Sequence, residues 1–123
     1  MTAIREWSIA VEGAIIAQLP ESDRWGRIIE PAPEYRIDQD ATNPEKQKVK
    51  LMLKVELKDG KKCDYYPNRT SARQISKILN TDLTSEAMKS WVGKTVFWGK
   101  IVEQNVMGQL KKVLYVTDVK LIA

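Results

Sequence analysis

The stretch KVKLMLKVELKDGKK, residues 48–62, alternates almost without a fault. Val49, Leu51, Leu53, Val55 and Leu57 take every second place, while Lys48, Lys50, Met52, Lys54, Glu56 and Lys58 take the others. Successive side chains of a strand point to opposite faces, so period two predicts a β-strand with one buried apolar face and one face of lysines. A slip of one residue would turn the whole apolar set to solvent, so this segment constrains the fold more than any other. The lysine face is either a wet surface or a site for something negatively charged.

A hairpin follows. A two-residue loop, Asp59-Gly60, would set Leu57 opposite Lys62 and Val55 opposite Asp64, burying charges. A three-residue loop, Lys58-Asp59-Gly60 with Gly60 left-handed, sets Leu57 opposite Lys61, Val55 opposite Cys63 and Leu53 opposite Tyr65. That register has one apolar face and is the one expected. It places Lys62 beside Glu56, Asp64 beside Lys54 and Tyr66 beside Met52. Two of the lysines thus gain acidic neighbours, worth some tenths of a kcal/mol each. Lys48, Lys50, Met52 and Tyr66 remain as a basic corner with an available ring, the minimum equipment for holding a nucleic-acid strand.

The rest of the chain reads as supporting structure. Residues 2–19 space Ile4, Trp7, Val11, Ala14 and Ile15 like an amphipathic helix, although Trp7, Ile9 and Val11 also alternate like a strand. PESDRWG, 20–26, is a turn cluster. GRIIEPAPEYRID, 26–38, is extended, with Pro31 and Pro33 implying an edge or a bend. Residues 38–47 form a polar loop. NRTSARQISKILN, 68–80, is a helix with a capping box at Ser71-x-x-Gln74, an inward stripe of Ala72, Ile75, Ile78 and Leu79, and Arg69, Arg73 and Lys77 on another face. LTSEAMKSWVG, 83–93, is a short helix capped by Thr84 and ended by Gly93. Strands over about 95–106 and 112–123 close the chain. Trp98 shares a face with Lys100 and is either a stacking residue or the floor beneath the N-terminal helix.

Three strands, a helix and two strands are the order of the OB-fold. The expected fold is mainly β: a five-stranded, partly open OB-like barrel over residues 25–123, with a helix between strands three and four. Residues 1–24 form a helical segment packed on it.

Charge is unevenly distributed. Residues 1–45 hold four Arg/Lys and nine Asp/Glu, residues 46–62 hold seven Lys against Glu56 and Asp59, and residues 63–123 hold nine basic and five acidic residues, for a net +4. A basic remainder behind an acidic first third suits a polyanion on one side, or is only solubility and internal compensation. A length of 123 residues fits one domain. No apolar run approaches the ~18 residues of a membrane span. The single Cys63 excludes an intrachain disulfide framework and fits a reducing, cytoplasmic compartment, a host's if the chain is viral.

YYPNRTSARQISKILN followed by WVGKTV and GQLKKVLYV resembles a family of small, mostly uncharacterised phage- and archaea-type proteins. Their pattern is a strand leading into N-(K/R)-T-(N/S)-A, a helix, W-(I/V)-G-K and a final hairpin. The match runs from about Lys50 to Val116 through Asn68, Arg69, Thr70, Ala72, Trp91, Gly93 and Lys94. The resemblance implies an OB-like barrel and a setting in DNA replication or recombination.

No catalytic constellation stands out. There is no histidine, Cys63 falls on an apolar face, and VGKTV lacks the glycine a phosphate-binding loop needs at position 88. Asp38 and Asp40 are a weak pair for a metal. A non-catalytic protein without cofactor or metal is expected, binding single-stranded nucleic acid, DNA in the first instance, with low sequence specificity. Lys48, Lys50, Met52, Lys54, Lys62, Tyr66, Arg69, Trp98 and Lys100 are the candidate contacts. The alternative is a protein-interaction module of a replication or virion complex, using the acidic N-terminal third or an edge strand. Its partner would be a replication protein or a second copy of the chain, with no membrane involved.

Overall fold

The computed structural model describes residues 9–37 and 49–121; the acidic loop 38–47, Lys48 and the first eight residues lie outside the described residues. Along the chain run β1 (Ile9–Ala10), α1 (Gly13–Ala17), β2 (Trp25–Ile28), β3 (Glu34–Ile37), β4 (Val49–Leu57), β5 (Lys62–Tyr65), α2 (Arg69–Leu79), α3 (Ser85–Met88), β6 (Lys94–Phe97), β7 (Lys100–Val106), β8 (Gln109–Tyr115) and β9 (Asp118–Leu121). The main sheet has the order β1-β5-β4-β2-β6-β9, with β3 also paired to β4, and β7–β8 form a separate two-stranded sheet. The fold is mainly β, its sheets are largely antiparallel, and they do not close into a barrel.

The β4–β5 hairpin has the register with the three-residue loop. Leu53 faces Tyr65, Lys54 faces Asp64, Val55 faces Cys63 and Glu56 faces Lys62. The Leu57 amide donates to the Lys61 carbonyl at 2.9 Å, and Gly60 has φ +88°, the left-handed conformation that lets the loop close without a Cβ clash. Leu51, Leu53, Val55, Cys63 and Tyr65 are all buried.

The proline segment bends as expected. Ile28 lies opposite Val55 and Glu34 opposite Met52, so Ile29 to Pro33 span only Lys54 and Leu53 on β4. The surplus forms a bulge that contains the cis Glu30–Pro31 bond. Proline has no amide to give to the ladder, which is why the break falls there.

The core lies under the sheet, where α2 contributes Ala72 and Ile75, the α3 turn Met88 and Trp91, α1 Ile16, and the last strands Leu114, Val116 and Val119. The Trp91 indole N–H donates to Thr81 Oγ1 at 2.7 Å, which lets a large ring with a polar edge be fully buried.

Four expectations change. The N-terminal helix is only five residues long: Ile9 and Ala10 pair in parallel with Cys63 and Asp64 instead, because the open edge of β5 has backbone groups to satisfy. The cap of α2 is Asn68, whose side chain accepts from the Ser71 amide at 2.7 Å. Ser71 is buried one turn inside, and its hydroxyl accepts from the Val116 amide. Finally, both closing strands are broken at one level. β6 and β7 part at Trp98-Gly99, β8 and β9 part at Val116-Thr117, and the Gly99 amide donates to Thr117 Oγ1 at 3.1 Å. The β7–β8 hairpin therefore stands off the main sheet as an arm, and the strand count exceeds five.

The arm's departure sends Trp98 inward. Its ring meets Tyr65 edge to face, 5.1 Å between centroids, and a Cβ on Gly26 would come within 2.9 Å of it. The Tyr65 hydroxyl lies beside Ser71 and Trp98, and burial pushes its pKa up to about 12.

Three outcomes follow for urea unfolding. Leu53→Ala is expected to cost about 2–5 kcal/mol, and Gly26→Ala about 1–3 kcal/mol through overpacking against Trp98 and Val55. The folded state holds the Tyr65 proton more tightly than the unfolded chain, whose tyrosines titrate near pH 10. That contribution is therefore complete below about pH 10 and gone above about pH 12, so over this interval wild type loses up to about 3 kcal/mol more than Tyr65→Phe. Equal losses in both proteins would refute the assignment.

Candidate nucleic-acid interface

The outer face of β4 and β5 carries the lysines, and most of its charges are braced. Lys54 Nζ lies 3.1 Å from Asp64 Oδ1, and an Arg36 nitrogen lies 3.6 Å from the other oxygen of the same buried carboxylate. One row along, Arg27 binds Glu56 at 2.6 Å, and Glu56 also stands opposite Lys62. Arg36 further pairs with Glu34 at 2.9 Å. That hydrogen bond is the main reason its guanidinium titrates above its ordinary value, with smaller support from the charges of Glu34 and Asp64 and from the Tyr66 side chain. The exposed pairs Arg27–Glu56 and Arg36–Glu34 contribute little to stability, yet together with the buried Asp64 they neutralise the face locally.

The bracing gives way to an open cleft where β5 ends. The chain turns at Tyr66-Pro67 into Asn68, which caps α2, and a cleft of about 480 Å³ opens beside the start of β4. Lys50, Tyr35, Tyr66, Asn68 and Arg69 line it, and among the described residues no carboxylate does. Tyr35 and Tyr66 are 43% and 41% exposed, so both rings are accessible. The Tyr35 hydroxyl donates to the Leu83 carbonyl at 2.7 Å, which fixes one ring against the α3 turn. The N-terminal end of α2 adds its partial positive charge beside Arg69.

Of the candidate residues, the structure brings Lys50, Tyr66 and Arg69 together in this cleft. Lys54 and Lys62 lie further along the same hairpin. Lys48 is outside the described residues. Lys100 is elsewhere, at the base of the arm, its ammonium 5.6 Å from the centroid of Tyr115. Two candidates are corrected: Met52 and Trp98 are both fully buried and offer nothing to a ligand. Met52 is flanked by β3 and by the proline bulge, in which Pro33 is itself buried. Trp98 leaves its strand to pack on Tyr65 and Gly26. The Tyr66 side chain also lies within reach of Arg36.

Sequence reasoning missed Tyr35 and Arg36. Both stand in β3, whose pairing with β4 is offset by the bulge, and no local pattern reports that offset.

The motif residues divide by role. Asn68 caps α2, Ala72 and Trp91 are buried, and Gly93 has φ +93°. Arg69 is exposed in the cleft. No protein-family model, no curated protein and no solved structure matches the chain.

Loss of the cap tests how the cleft wall is built. Asn68→Ala is expected to cost about 0.5–2 kcal/mol in chemical denaturation. A variant as stable as wild type would mean that the Asn68 bond contributes nothing to the start of α2.

Proposed function

We propose that this protein is an OB-like, partly open barrel that binds single-stranded nucleic acid, DNA in replication or recombination, with little sequence preference and no catalysis. The barrel reading is supported by the strand order: the proline-bulged first strand lies between the second and fourth, and α2 follows the third.

One observation carries the functional reading: two accessible rings and two cations line one cleft that, among the described residues, has no carboxylate in its wall. Cations follow the phosphates, while a ring accepts any base, at about 1–3 kcal/mol per stacked base. This combination binds strands without reading them. Tyr66 is the stacking residue, Tyr35 the second platform, and Lys50 and Arg69 the phosphate contacts, with Lys54 and Arg36 behind them.

Fluorescence anisotropy with a labelled 20–30-mer over a salt series tests this. Three or four phosphate contacts give a log–log slope of about −2 to −3, and Lys50→Ala is expected to flatten it by about 0.7. Tyr66→Ala is expected to weaken binding with little change in slope, and Tyr66→Phe, which keeps the ring, to bind like wild type. No binding at low salt, or Lys50→Glu binding as well as wild type, would refute the reading in favour of a protein-interaction module.

A further inference from the structure

A second cleft, of about 640 Å³, opens on the other side of Tyr66, between α1 and the β7–β8 arm. Tyr66 and Asn68 line both clefts, so the two share a wall. From the arm come Leu110, Lys111 and Lys112, all exposed. Glu12 and Glu103 line this cleft too. Glu103 stands opposite Lys112 in the register, whereas Lys111 stands opposite Gln104, whose amide donates to the Tyr115 hydroxyl at 2.6 Å. Lys111 is thus the arm cation with a neutral cross-strand neighbour.

We propose that the two clefts form one groove and that the β7–β8 arm is the second half of the nucleic-acid site: a single strand passes over Tyr66, with phosphates held by Lys50 and Arg69 on one side and by Lys111, then Lys112, on the other. This rests on the single-strand-binding reading above. The competing route, up the sheet face past Lys54 and Lys62, runs over Asp64 and Glu56 as the cleft route runs past Glu12 and Glu103, so the accessible ring and not the carboxylates distinguishes the two. The cleft route has an accessible ring at its midpoint and Leu110, 76% exposed, as an apolar contact for bases beyond it. Lys112 shares the face of Glu103 and the buried Leu114, and Lys111 the opposite face with Gln104 and Tyr115, so the two lysines reach the strand from different faces of the arm.

The test is oligonucleotide length. Oligo-dT from 4 to 20 nucleotides is titrated against wild type, Lys111→Ala/Lys112→Ala, each single variant, Lys50→Ala, and Lys77→Ala/Lys120→Ala as a control that removes two exposed lysines elsewhere. Wild-type affinity should keep rising with length until the whole groove is filled, within the roughly 4–16 nucleotides of one such domain. The arm double variant should bind the shortest oligomers like wild type, reach its plateau at a shorter length, and show a salt slope on the longest oligomer flatter by about 1.4. If Lys50→Ala weakens binding while the arm double variant matches wild type at every length, the arm proposal falls and the first cleft stands. An equal loss in the Lys77/Lys120 control would reduce the effect to net charge and also refute the arm. If wild type binds no oligomer at low salt, the underlying reading fails and the arm proposal fails with it.

Discussion

The double pairing of β4 is the constraint on which the rest depends. One flank of its nine residues pairs with β5, while β2 and β3 take successive lengths of the strand on either side of the proline bulge. A strand held on both sides cannot slip, and its alternation then decides which residues meet α2, α3 and Trp91 in the core. Everything at the candidate site is referred to this strand. Lys50 is on it, Tyr35 and Arg36 are positioned by pairing with it, and Tyr66 is where β5 stops following it.

A second constraint is the crossing of Gly26, Tyr65 and Trp98. Glycine at 26 leaves room above β2 for an indole, and the indole fills that room only because the chain breaks at Gly99. The same break frees the β7–β8 hairpin from the main sheet and swings it across from Tyr66. Core packing and the shape of the groove are therefore one event: the residue that a strand pattern would send to the surface is buried, and the residues beyond it are carried outward on the arm.

What the sequence made legible is what depends on neighbours along the chain. Period two and a turn with Gly60 were enough for the β4–β5 register, down to the pairing of Lys54 with Asp64. The amphipathic stripe sufficed for α2, although Ile78, expected inward, is exposed, and Thr84 sufficed for the start of α3. The failures are non-local. Met52 alternates as an exposed residue, yet it is fully buried where β4 pairs with β3, on the far side of the bulge. Trp98 reads as the next residue of a strand, and only the level break at Gly99 and Thr117 says otherwise. Trp7, Ile9 and Val11 alternate like a strand as well as fitting a helix, and Ile9 and Ala10 take the strand because β5 has an edge to fill. In the candidate site, Lys50, Tyr66 and Arg69 were legible from charge and the hairpin register, while Tyr35 and the arm lysines required the three-dimensional path.

The lysine strand also shows why a count of charges overstates the net charge of a sheet face. The cations on the outer face of β4 and β5 look like a phosphate track, but a sheet sets each one beside cross-strand neighbours, and here Asp64 and Glu56 take up Lys54, Arg36 and Arg27. Regular pairing brings opposite charges together as readily as it lines up like ones, so the middle of the sheet is nearly neutral. At the end of β5 the ladder stops, the chain turns into a helix, and the wall is built by Tyr66, Asn68 and Arg69 instead of by alternating partners. There Tyr66, Asn68 and Arg69 lie beyond the β5 ladder, while Lys50 of the same wall stands opposite Arg36, another cation. Positive charge and open ring faces therefore survive together at the margin of the sheet rather than along the strand that first drew attention to it.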